Sequence, residues 1–155
     1  MKKLFIFIAF MCSSQCFSGE YIYESSASSN IKEIIFTDGS KFSLIEVHGS
    51  WTDNLGRYGS TFCYGKIEGN KEGVNLEATC EQKDDKGNKF WTALIRQSDM
   101  DAGAGKATYI DATGPYINMI GTTCNYAVKY LEKLLFYKQR CNIPEDIYKI
   151  LRDYK

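Results

Sequence analysis

The stretch Cys63-Tyr64-Gly65-Lys66-Ile67-Glu68-Gly69-Asn70-Lys71-Glu72-Gly73-Val74-Asn75-Leu76-Glu77-Ala78-Thr79-Cys80 decides the fold, because it reads as one hairpin folded onto its own two cysteines. Setting Cys63 opposite Cys80 puts the turn at Asn70-Lys71-Glu72-Gly73, bounded by two turn formers. On the cysteine face the cross-strand partners are then Gly65 with Ala78, Ile67 with Leu76, and Gly69 with Val74, all apolar or small. On the other face they are Tyr64 with Thr79, Lys66 with Glu77, and Glu68 with Asn75, all polar or amphipathic. A slip of one residue would scramble both faces, so this segregation fixes the register.

Cys124 and Cys141 have the same spacing. Facing each other, they bring Tyr126 to Gln139, Val128 to Tyr137 and Tyr130 to Leu135, with a turn near Glu132-Lys133. That face is apolar on average but mixed, and a helix over 129–137 is the alternative. Each bridge closes a loop of about 18 residues and stabilises by roughly 3 kcal/mol in the chain-entropy picture. A crossed connectivity, such as Cys63 with Cys124, stays open from sequence alone.

Outward from these hairpins the chain is a series of short alternating segments cut by glycine turns. Strands are predicted at 31–37, 41–48, 58–68, 73–83, 88–97, 104–112, 116–130 and 134–141, after a polar leader at 25–29. Connections this short join antiparallel neighbours, since a parallel crossover needs a dozen or more residues. Eight such strands close into a barrel or split into a sandwich of two sheets. Gly59, Gly65, Gly105 and Gly121, placed inside strands, favour the sharp curvature of a barrel. The expected fold class is therefore all-β, an eight-stranded antiparallel meander barrel, with a β-sandwich as the alternative. Pro144 suits the start of a helix, and Ile147, Ile150, Leu151 and Tyr154 recur on one helical face. A short C-terminal helix over 144–153 is expected to cover the sheet. With no linker and no repeat of fixed period, 19–155 is expected to be a single domain.

Met1-Lys2-Lys3, the apolar run Leu4-Phe5-Ile6-Phe7-Ile8-Ala9-Phe10-Met11, and small residues around Ser18-Gly19 match a secretory signal peptide over 1–18. Cleavage after Ser18 would remove Cys12 and Cys16 and leave four cysteines, an even set suited to two disulfides in an oxidising compartment. A periplasmic or secreted location is the expectation. No other apolar run reaches the roughly 18 residues of a membrane span, so the cleaved chain is expected to be free of the membrane. The 155 residues carry 19 basic and 19 acidic groups, and loss of Lys2 and Lys3 leaves a formal charge of −2. Without a clustered positive field, nucleic acid is not an expected partner. A monomer is expected.

One histidine leaves little for catalysis. His48, in Glu46-Val47-His48-Gly49, has the chemistry of a general base, yet no nucleophile motif accompanies it. Ser98-Asp99-Met100-Asp101-Ala102-Gly103 spaces two acids before a glycine, but a calcium loop needs a later carboxylate where Ile110 stands. A solvated turn is expected there. No catalytic residue, no metal and no cofactor is assigned.

The richest segment is Gly49-Ser50-Trp51-Thr52-Asp53-Asn54-Leu55-Gly56-Arg57-Tyr58-Gly59. Trp51, Asp53, Arg57 and Tyr58 combine apolar area with polar handles, and a guanidinium can clamp a carboxylate. They would equally make a structural corner, with Trp51 plugging one end of the barrel and Arg57 bonding loop carbonyls. Trp91, Tyr109, Tyr116 and Tyr126 are expected to line an interior cavity or to fill it. Eight strands enclose just enough room for packed side chains or one small ligand.

Ala112-Thr113-Gly114-Pro115-Tyr116-Ile117-Asn118-Met119-Ile120-Gly121 resembles the Gly-Thr-Gly-x-aromatic turn and following strand of calycin-like and allene-oxide-cyclase-like barrels, with Ala112 where those carry glycine. Gly49-Ser50-Trp51, Cys63-Tyr64-Gly65, Cys80 and Cys124-Asn125-Tyr126 together are similar to the layout of small uncharacterised exported bacterial proteins. The resemblance implies a calycin-like barrel and carries over no catalytic residue. The function expected is non-catalytic binding, of a small apolar or aromatic ligand inside the barrel or of an envelope protein at the rim between Trp51 and Tyr58. One alternative is a periplasmic inhibitor of a cell-wall hydrolase such as lysozyme, which needs a loop at 53–59 or 99–105 able to enter a cleft. Another is a cyclase- or isomerase-like enzyme, which needs a barrel-lining carboxylate such as Asp111 or Glu46.

Overall fold

In the computed structural model, which describes residues 18–70, 73–98 and 102–154, eight antiparallel strands follow one another around a closed barrel. They are β1 (Ser18–Ile35), β2 (Lys41–Asp53), β3 (Tyr58–Asn70), β4 (Gly73–Asp84), β5 (Lys89–Ser98), β6 (Ala102–Ala112), β7 (Thr123–Leu131) and β8 (Leu134–Pro144). A 3-10 helix, Gly114–Met119, bridges β6 and β7, and α1 (Glu145–Asp153) follows β8. β1 pairs with β2 along one side and with β8 along the other, which closes the ring. Tyr23, for example, sits between Asp53 and Gln139. Closure excludes the sandwich.

Both disulfides lie within hairpins, Cys63–Cys80 across β3 and β4 and Cys124–Cys141 across β7 and β8. Each cross-strand pair read from 63–80 is present, including Gly65 with Ala78, Ile67 with Leu76 and Lys66 with Glu77. β7 and β8 likewise pair Tyr126 with Gln139, Val128 with Tyr137 and Tyr130 with Leu135. The 129–137 segment is thus a hairpin and not a helix, with Glu132 at a positive φ of 56° in its turn.

The main departure is β1. The strand expected over 31–37 begins instead at Ser18 and takes in the serines of the polar leader. Tyr21, Tyr23, Ser25 and Ala27 face inward while Glu24, Ser26 and Ser28 face solvent. The period of two is there, but small residues on both faces blunt its contrast. β2 also runs further than the 41–48 expected, so Trp51 and Asp53 stand on a strand and the loop shrinks to 54–57. The strand expected over 116–130 starts only at Thr123. Pro115 lacks the amide a ladder needs, the chain winds into the 3-10 helix, and Gly121 serves a turn at φ 86°. Pro144 ends β8, one residue ahead of α1. That helix buries Leu151 and half-buries Ile147 and Tyr148, whereas Ile150 faces outward. The expected signal peptide falls almost wholly on residues 1–17, outside the described residues; Ser18 starts β1 opposite Pro144. Among the described residues no helix is long and apolar enough to cross a membrane.

Candidate ligand cavity

The lumen has two unlike halves. At the end that carries the β2–β3 and β4–β5 turns, the 3-10 helix and α1, aromatic rings fill the bore. Phe90 is their hub, with ring centres 4.6 Å from Tyr116, 5.4 Å from Tyr109 and 5.6 Å from Trp51. Trp51 donates its indole N–H to the Ser60 carbonyl at 3.1 Å. Met119, Ile143 and Leu151 complete this plug.

Asp53 organises its corner. Its side chain is fully buried, and Oδ1 accepts the backbone N–H groups of Leu55 and Arg57, each at 2.9 Å. Oδ2 accepts from Arg57 Nε at 2.8 Å and from the Tyr21 hydroxyl at 3.2 Å. The Arg57 guanidinium then lies 4.9 Å from the Tyr116 ring centre and 5.6 Å from that of Tyr21. Charge pairing, two backbone amides and two aromatic faces thus draw the four-residue loop tight against the barrel. Arg57 is paired with a carboxylate here, not with loop carbonyls.

Trp51, Asp53, Arg57, Tyr109 and Tyr116, expected as binding residues, are therefore brought together, but as a packed plug. Tyr58 is exposed at the same end. Trp91 is on the outer wall, where its indole donates to Glu81 Oε2 at 3.2 Å beneath the Lys89 ammonium. Its parity explains this: Phe90, Thr92, Leu94 and Arg96 are the inward positions of β5, so the odd residues face out.

The carboxylates considered for lumen chemistry also face out. A bulge in β6 leaves Ile110 unpaired between Tyr109, opposite Thr92, and Asp111, opposite Trp91. That extra residue shifts the alternation, so Tyr109 and Ala112 are buried while Asp111 is exposed. Glu46 is on the outer wall of β2, 2.9 Å from His48 Nε2, and this hydrogen bond holds its carboxyl below the usual range. Residues 99–101, the centre of the acidic turn, lie outside the described residues.

The other half of the lumen is hollow. A cavity of about 60 Å³ lies above Tyr23 and Tyr137, whose rings meet edge to face at 5.8 Å. Ile45, Val47, Leu76, Leu94, Val128 and Leu135 supply its apolar wall. Its floor is polar and internally satisfied. The Gln82 amide, with its nitrogen donating to the Phe90 carbonyl at 2.8 Å, accepts from Thr92 Oγ1 at 3.1 Å. The Tyr137 hydroxyl donates to Gln139 Oε1 at 2.7 Å, and Gln139 Nε2 donates to the Tyr109 hydroxyl at 3.2 Å. Tyr126 stacks on Tyr137 at 4.9 Å and reaches over Gly105, where any side chain would meet its ring. Burial pushes the Tyr126 hydroxyl up to about 12 against the downward pull of Arg96.

Arg96 is the one charged side chain of the cavity wall among the described residues, and only 3% of it is exposed. Its Nε and Nη1 have no hydrogen-bond partner among the described residues. The guanidinium carbon lies 5.9 Å from the Tyr130 ring centre. Of the tyrosines and tryptophans marked in the sequence, only Tyr126 reaches this cavity. Arg96, Gln82, Thr92 and Tyr130 were missed, although a signal existed. Once Cys80 is paired with Thr92, the parity of β5 places Arg96 on an inward face. Comparison with protein-family models, with curated proteins and with solved structures finds nothing that matches this chain.

Proposed function

We propose that this is a non-catalytic, exported binding protein of calycin-like design, whose hollow half-lumen takes a small molecule. The observation that carries the reading is the asymmetry of the bore. One end is sealed by aromatic packing, and the other keeps an apolar cavity with a polar floor. Apolar walls with a few placed polar groups are the usual composition of ligand sites. A cavity of about 60 Å³ is well below the roughly 150 Å³ that holds a benzene in an engineered core, so the occupant is small or the mouth gives way to admit it. Binding at the Trp51 rim draws less support, because the Trp51 indole already donates to the Ser60 carbonyl and Arg57 is ion-paired with Asp53. The disulfides and the leader-like residues 1–18 support export into an oxidising compartment.

Native mass spectrometry of the protein purified from its own envelope tests this. A bound small molecule is expected on the natural protein and is lost in Ala78→Leu, which pushes a larger side chain into the cavity wall. Ligand-free protein in both samples, with no response of cavity residues to a fragment library by NMR, would refute the reading.

A further inference from the structure

We infer that the ligand of the hollow half-lumen is a short-chain monocarboxylate, held by its carboxylate on Arg96 and by its carbon chain on the surrounding apolar wall. This rests on the lumen-binding reading and adds the chemical class. A guanidinium stays protonated at any pH a protein survives, so Arg96 cannot escape burial by losing its charge. A buried charge is retained where something pairs with it, and a buried donor where something accepts from it. Neither condition is met within the described residues. Among the described residues no aspartate or glutamate lines the cavity, no carboxylate is within ion-pair distance of Arg96, and two of its nitrogens have no partner.

The neighbourhood then selects the anion. Across the strands Arg96 is flanked by Leu76 and by Gly105, so neither neighbour offers an acceptor side chain. Gly105 leaves room for the Tyr126 ring, and the guanidinium lies over the Tyr130 ring, so aromatic surface borders the charge. A planar carboxylate matches the guanidinium fork in two parallel hydrogen bonds. Phosphate would need further donors for its remaining oxygens and has no use for apolar walls, whereas a carbon chain finds its partners in Ile45, Val128 and Leu135. The volume corresponds to about four water-sized groups, which a carboxylate with a one- or two-carbon tail fills.

The rival is internal. Asp99 and Asp101, outside the described residues, follow Arg96 within a few positions in the sequence. Titration of the oxidised protein with propionate and with its neutral isostere propionamide separates the cases, followed by NMR at the Arg96 Nε–H and at Leu76, Leu94 and Val128. Propionate is expected to bind at least tenfold tighter than propionamide and to shift the Arg96 Nε–H. Arg96→Met is expected to erase that preference, while Arg96→Lys keeps a reduced one. Equal binding of the two would overturn the anion inference and leave the lumen reading standing. Phosphate competing as well as propionate would overturn the carboxylate assignment. Propionate binding only to a D99N/D101N variant would show that these aspartates already neutralise Arg96, and would also overturn it. Silence of the cavity residues towards all the probes, together with ligand-free protein from the envelope, would remove the lumen reading itself.

Discussion

Asp53 and Arg57 make the tightest polar unit of the plug, and the energetics of buried charge decide what their replacement does. Asp53→Asn keeps the shape but leaves a guanidinium one-tenth exposed beside a neutral amide. Removing one partner of a buried pair typically costs about 3–5 kcal/mol, because the other charge stays desolvated. Urea unfolding should therefore show a loss of about that size for Asp53→Asn. The double variant Asp53→Asn/Arg57→Met should lose clearly less than the sum of the two single changes. Additive losses would mean that the two side chains stabilise independently. Ligand binding in the other half of the bore should survive each change, since neither Asp53 nor Arg57 lines the cavity and the two halves meet through Tyr23, Tyr137 and the floor amides Gln82 and Gln139.

Among the elements, α1 and the two bridged hairpins carry separate duties. Leu151 is fully buried in the plug, and Tyr148 lies against Gly19 where no side chain would fit. Leu151→Ala should cost about 2–5 kcal/mol, measured by thermal or urea unfolding, whereas Ile150→Ala on the outer face should be nearly silent. Removing either disulfide by paired serine substitution should lower stability by about 3 kcal/mol, with similar values for the two because the sequence separation is 17 in each. These elements were also the most legible. In 63–80 the cysteine spacing, the apolar face and the turn residues all favour one register, so local and tertiary constraints agree. The first strand was half hidden because Ser25, Ala27, Ser26 and Ser28 give its two faces too little contrast. The bulge at Ile110 left no mark in composition, yet it alone turns Asp111 away from the lumen. The aromatic residues of 49–59 were legible as important but not as plug or site, because the same amphipathic chemistry serves both. Arg96 could be placed only after neighbouring strands were in register, since an isolated arginine in an alternating segment defaults to the surface.

For the whole molecule, the rings that hold the barrel together also set its limit in alkali. Tyr21, Tyr23, Tyr109, Tyr116, Tyr126 and Tyr137 all have hydroxyls raised above 10 by burial, Tyr126 to about 12. In the unfolded chain the same hydroxyls ionise near 10. Above that pH the unfolded state therefore binds fewer protons than the folded one, and the stability falls with rising pH. The stabilisation is fully present below pH 10 and is lost progressively from there through about 12 and beyond. Each proton released on unfolding contributes a slope of about 1.4 kcal/mol per pH unit, so several released together make the transition steep. Rapid pH-jump experiments on the oxidised protein should show the β-sheet circular dichroism collapsing in one sharp step in this window, with ionisation of the six rings in the same step. Tyr23→Phe and Tyr109→Phe, which keep the rings but delete an ionisable hydroxyl, should each make the stability fall less steeply with pH. A sheet that persists after all six rings have ionised would show that their hydroxyls reach solvent without opening the bore, and would rule out a solid plug.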